Sequence, residues 1–190
     1  ISFDPHDLFA DPNLLQMIYG VDVAISEHDY ALLLSVARES GDRLSAFRRL
    51  LGSHRFDGVL IESGLGDEGI SLLVEQGYPC VIIGHTEMNL PYVHPDDYAG
   101  ARAMTEHLLS LGHRRIGVVN GPPRSLACRE RFRGYRDALS AAGLSVDEQL
   151  RAPGDYRLES GYAAAPLLMA LNPTPTAIFA FNDRMAFGVI

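Results

Sequence analysis

The chain has 190 residues, 47% of them hydrophobic and 21% charged, with a formal net charge of −8. That length and apolar fraction support one domain or two small lobes with a real core and exclude a disordered chain. No apolar run approaches the roughly 18 residues of a membrane span, and an acidic balance argues against this segment itself gripping a phosphate backbone.

Short apolar runs alternate with longer stretches at helical period, the pattern of βα units and a parallel sheet. Ile1-Ser2-Phe3 reads as the tail of a first strand. A helix is predicted from about Pro12 to His28, capped by Asp11, with Leu14, Ile18, Val21 and Ile25 on one face. Tyr30 to Val36 reads as a buried strand, Arg43 to Ser53 as a helix, and Gly58 to Ile61 as a strand. A short helix from Asp67 to Gln76, closed by Gly77, leads to the strand Cys80 to Ile83.

Between Gly84 and Asp96 the rhythm is interrupted by a polar connection and a short extended piece, Tyr92-Val93-His94. This is the expected crossover between lobes 1–94 and 95–190. Asp96 or Asp97 then starts a helix running to Gly112. Next come a strand at Arg115 to Val119, a helix from about Arg124 to Ala142, and a short strand at Gln149 to Ala152. A helix from Arg157 to Leu171, a strand at Thr176 to Phe181 and a helix from Asp183 complete the series.

All 16 basic residues are arginine, which reads as genome composition rather than chemistry. Five of them fall between Arg124 and Arg136. At about 100° per residue, Arg129, Arg133 and Arg136 share a solvent-facing arc of about 60°. Phe132, Tyr135, Leu139 and Ala142 form an apolar face, and Arg131 sits on its edge, away from the other arginines. A guanidinium there needs a partner, either a ligand or an internal carboxylate. Arg131→Ala is expected to abolish ligand binding while leaving the melting temperature within a few degrees.

Asn182-Asp183 closes one strand and Gly154-Asp155-Tyr156 another, where ligands gather in open α/β sheets. Asp183 reads as a helix N-cap, leaving Asn182 as the freer polar group; Tyr156 reads as either a stacking platform or a core residue. Asn120-Gly121-Pro122-Pro123 lacks the glycine spacing of a dinucleotide or phosphate loop. The seven histidines form no His-Glu-x-x-His pair, so no metal is expected. Glu62-Ser63-Gly64 lacks the first glycine of a hydrolase elbow, and no constellation points to catalysis or to a cofactor. Cys80 and Cys128 have neither metal-ligand spacing nor a disulfide framework, which fits a cytoplasmic setting.

Taken together, the motifs resemble the effector-binding core of LacI-type transcription regulators. They are Phe9-Ala10-Asp11-Pro12, Phe56-Asp57-Gly58-Val59, Asp96-Asp97-Tyr98-Ala99-Gly100-Ala101 and the run from Glu106 to Ile116. Arg129-Glu130-Arg131-Phe132-Arg133-Gly134-Tyr135, Glu159-Ser160-Gly161-Tyr162 and the run from Pro175 to Gly188 follow in order.

The resemblance implies an α/β fold of two Rossmann-like lobes of the type I periplasmic-binding-protein architecture, with parallel sheets flanked by helices. It implies a small-molecule effector, a mono- or disaccharide, with a purine-type effector as the alternative class. It also implies a helix-turn-helix DNA-binding domain upstream, a homodimer, and a core cut at both ends. Operator DNA would then be met by that domain and not by this segment.

By analogy the ligand residues fall on Asp11, Asn13, Leu14, His85, Arg131, Tyr156 and Asn182. Two departures bear on effector identity: Asp11-Pro12-Asn13-Leu14 stands where many members have Asn-Pro-Phe-Phe, and Gly84-His85 where many have Asp or Gly followed by Arg. An exported sugar-binding protein of a transport system is the competing reading.

Overall fold

The computed structural model describes residues 2–3, 11–36, 48–53, 55–62 and 66–190. The chain divides into two compact units, Ile1–His94 and Pro95–Ile190. Among the described residues no helix is long and apolar enough to cross a membrane.

In the first unit, β1 (Ser2–Phe3) pairs in parallel with β2 (Ser35–Val36). Helix α1 (Pro12–Ser26) is capped by Asp11, whose side chain accepts from the Asn13 amide, with Pro12 at the first turn where its missing N–H costs nothing. Leu14 is its buried residue, packed with Met17 and Ile18. A second sheet has the order β3 (Val59–Ile61), β4 (Cys80–Ile83), β5 (Tyr92–Val93), all parallel, with α2 (Gly66–Glu75) as the connection between β3 and β4. Gly77 closes α2 at φ +72°, a backbone that glycine adopts without strain. Leu51, Ile61, Leu73, Cys80 and Ile82 are the buried cluster here.

One strand expectation fails in this unit. Tyr30, Leu33 and Leu34 are exposed, and strand structure is confined to Ser35–Val36, opposite the two residues of β1. An apolar run becomes a buried strand only where a neighbour supplies a ladder and a cover. Phe9-Ala10, the helix start at Arg43, and Ser63-Gly64 lie outside the described residues.

The second unit has the sheet order β7 (Arg151–Ala152), β6 (Ile116–Val119), β8 (Ala177–Ala180), again all parallel. Every residue of β6 is buried, as a central parallel strand requires. Around it run α3 (Asp97–Ser110, capped by Asp96), α4 (Leu126–Ala141, capped by Ser125), α5 (Leu158–Met169) and α6 (Asp183–Val189). Gly134 lets α4 approach α3 closely: a Cβ there would lie 2.4 Å from the Tyr98 carbonyl oxygen. Tyr135 is fully buried, and its hydroxyl donates to the Ile116 carbonyl (2.8 Å), tying α4 to β6. Burial pushes that phenol up to about 12.

Two boundaries differ from expectation. The stretch predicted as a strand at Gln149–Ala152 begins with a 3-10 turn, Glu148–Leu150, capped by Asp147, and only Arg151–Ala152 joins the sheet. The cap of α6 is Asn182 rather than Asp183.

Candidate functional site

Because β6, β7 and β8 are parallel, their carboxyl ends meet at one edge, with Val119 opposite both Ala152 and Ala180. The residues that follow each strand are therefore brought together: Asn120-Gly121 after β6, Gly154-Asp155-Tyr156 after β7, and Phe181-Asn182 after β8. Helix α4 starts just beyond β6 and carries Arg131 toward the same edge.

Arg131 is half-buried and anchored twice. Its Nε donates to Asp97 Oδ1 at 2.6 Å, and an Nη1 hydrogen is donated to the Phe181 carbonyl. Asp97 is 6% exposed, a burial a carboxylate tolerates only when paired. The internal carboxylate left open by the helical wheel is thus present. These bonds commit two of the five N–H donors of the guanidinium. Its carbon also lies 5.9 Å from the centroid of the Tyr156 ring.

Tyr156 is fixed from several directions. Its φ of +71° is left-handed, a backbone that costs a non-glycine residue about 1–2 kcal/mol. Its carbonyl accepts from Asn182 Nδ2 (2.8 Å), and its hydroxyl is 2.9 Å from Ser125 Oγ. Burial raises the phenol above its ordinary range, the bond to Ser125 opposing this, so it stays neutral at physiological pH. Against the hydroxyl end of the ring lies Gly121, where a Cβ would lie 2.3 Å from Cζ.

Asn182 is not the free amide that the sequence suggested. Its Oδ1 accepts from the Met185 amide at 3.0 Å, capping α6, while Nδ2 holds the Tyr156 carbonyl. Asp183 could not do both, because a carboxylate has no donor.

Arg131, Tyr156 and Asn182 are therefore one cluster. Asp97, Ser125 and Gly121 complete it, and none of these three was picked out as a site residue from the sequence. The doubled acidic pair was a signal for Asp97, since Asp96 alone caps α3 and leaves its neighbour's carboxylate for another task. Asn120 Oδ1, at the end of β6, is buried without a hydrogen-bond partner. Ser125 Oγ faces the Tyr156 hydroxyl and the Cys128 amide rather than a base. Burial pushes the Cys128 thiol up, and it donates to the Gly121 carbonyl.

The first unit holds the other expected residues. Asp11 and Asn13 lie on the opening turn of α1, Asp11 occupied by capping and Asn13 exposed. Leu14 is 6% exposed and belongs to the packing of that helix. His85 follows β4, its ring stacked on His94 at 3.8 Å between centroids. A cavity of about 1060 Å³ also lies in this unit, walled by aliphatic residues such as Val21, Ile25, Leu50 and Val59. None of the seven expected ligand residues lines it.

Comparison with known proteins decides the family. Residues 6–190 match the family described as periplasmic binding proteins and sugar binding domain of LacI family. The chain belongs to this family. Among LacI-family proteins, the transcriptional regulator CelR of Thermobifida fusca is 36% identical over the whole chain and 57% of its own length. The transcriptional repressor CytR of Escherichia coli K12 is 31% identical over 95% of the chain and 54% of its own length. The chain thus spans little more than half of these curated relatives. The solved structure of a CelR–cellobiose complex superposes with a TM-score of 0.90 at 36% identity, covering 100% of this chain and 59% of that one. A LacI-type regulator from Bacillus cereus subsp. cytotoxis superposes at 0.89 with 29% identity, covering 98% and 67%. The LacI-family relatives named here are regulators, and the two-lobed α/β fold expected from the motifs is the fold of these structures.

Proposed function

We propose that this chain is the sugar-sensing core of a LacI-type transcription regulator. Residues 1–94 and 95–190 are its two lobes, and the second lobe's Arg131–Tyr156–Asn182 cluster is one wall of the effector site. A mono- or disaccharide of the cellobiose kind fits that chemistry. A guanidinium fork reads hydroxyl pairs, and a neutral aromatic ring takes the C–H face of a pyranose. The observation that carries the reading is Arg131, held at the sheet's carboxyl edge by Asp97 and Phe181 and pointed over the Tyr156 ring.

In the first lobe Asp11, Asn13, Leu14 and His85 are the proposed counterparts. The regulator acts in the cytoplasm as a homodimer and catalyses no reaction. Effector binding shifts its two-state equilibrium, and with it the affinity of an upstream helix-turn-helix module for operator DNA. CelR and CytR being regulators supports this over an exported binding protein.

The test is a thermal-shift screen of the full-length protein against saccharides, cellobiose included, and nucleobases, followed by DNA-binding titration with each hit. A ligand that binds only the folded state raises the midpoint by mass action. A saccharide hit that changes DNA affinity is the expected result. A screen in which only nucleobases stabilise, or a sugar hit that leaves DNA affinity unchanged, overturns it.

A further inference from the structure

Tyr156 is the one aromatic in the cluster, and its usefulness as a stacking surface depends on where its ring is held. Its backbone is left-handed, where bulky residues are rare and persist only if their surroundings over-determine them. Asn182 fixes the carbonyl, but a fixed backbone still leaves the side-chain torsions open. Two further features close them. Ser125 meets the hydroxyl at 2.9 Å, at the far end of the ring. Gly121 leaves room for the hydroxyl end of the ring: a Cβ there would fall 2.3, 2.4 and 2.5 Å from Cζ, Cε1 and Oη.

We infer that Ser125 and Gly121 are positioning residues for effector recognition, locking the Tyr156 ring so that its face, rather than its hydroxyl, contacts the sugar. This rests on the sugar-sensing reading of the same cluster. Ser125 also caps α4 through the Cys128 amide (3.2 Å), so one hydroxyl sets both the helix that carries Arg131 and the ring beneath the guanidinium. The recognition chemistry follows. The phenol oxygen is already engaged, so discrimination comes from the shape and C–H content of the sugar face against the ring. Hydroxyl reading falls to Arg131.

The two functions of Ser125 are separable by mutation. Ser125→Gly removes the hydroxyl while a glycine cap costs only a few tenths of a kcal/mol. Tyr156→Phe removes the same hydrogen bond from the other side without touching the cap. Cellobiose affinity of the full-length wild type, both single variants and the double variant is measured by calorimetry, with melting temperatures alongside.

A net hydrogen bond of ordinary strength corresponds to a loss of about 3- to 10-fold. Each single variant loses affinity by that factor, and the double variant loses no more than either single. Ser125→Thr, which keeps hydroxyl and cap, recovers most of the loss. Gly121→Ala loses at least as much as Ser125→Gly, because the added methyl displaces the ring. Losses that multiply in the double variant, or full affinity in Tyr156→Phe and Ser125→Gly, overturn the inference. Wild type that binds no saccharide overturns instead the reading it rests on, so the two failures are told apart by the wild-type titration.

Discussion

The two units present their candidate site residues in different ways. In the second, the side chains hold one another: Arg131 is tied to Asp97 and to the end of β8, Asn182 to Tyr156, and Tyr156 to Ser125. In the first, Asp11 caps its own helix, Leu14 packs against Met17 and Ile18, and Asn13 projects into solvent. The second unit's cluster stands on a fully buried central strand and a core that includes Tyr135, Leu168 and Met185. The lesson is that a strained aromatic and a buried ion pair can be placed at a sheet edge only where the packing behind them is already decided. The opening turn of α1 is set by local capping instead.

This difference can be broken by mutation, and the largest effect belongs to Arg131. Arg131→Ala removes the guanidinium paired with the buried Asp97 carboxylate, a change that costs about 3 kcal/mol, at the low end for a buried pair because the Arg131 side chain is 25% exposed. The melting temperature falls by several degrees. This larger fall replaces the sequence-based expectation of a change within a few degrees, because Arg131 is paired with a buried carboxylate of this chain. Urea unfolding of Asp97→Ala, Arg131→Ala and the double variant checks the coupling, and additive losses would mean that the pair is not a unit. A smaller effect is expected in the first unit. Asp11→Ala removes an N-cap worth about 1 kcal/mol. Circular dichroism melts that show a larger loss than for Arg131→Ala would reverse the comparison.

Much of this was legible in the sequence, because it depends on local rules. The βα alternation, the Asp11 cap, the glycine closing α2 and the placement of Arg131 on the edge of an apolar helix face need only period and neighbouring residues. What escaped depends on pairs far apart in the chain. Asp97 and Arg131 are 34 residues apart, and Ser125 and Tyr156 are 31 apart. Packing of α4 against α3 brings the first pair together, and the loops beyond the parallel strands bring together the second. The helix cap falls on Asn182 instead of Asp183 for a chemical reason. Either residue of Asn182-Asp183 can cap a helix, and the amide was selected because the Tyr156 carbonyl needed a donor. The left-handed backbone at Tyr156 has no glycine to announce it. The exposed stretch at Tyr30–Leu34 failed for the opposite reason: apolar composition predicts burial only if another element arrives to cover it.

Arg131→Lys isolates the reading of a sugar by the Arg131 fork at the edge of the second unit's sheet. Lysine keeps a cation for Asp97 and gives up the planar two-pronged donor. Calorimetric titration of cellobiose into the full-length protein and this variant, with melting curves of both, separates recognition from stability. At least a tenfold loss of affinity is expected, with the melting temperature preserved to within a few degrees. Wild-type affinity in Arg131→Lys would contradict that role of the fork.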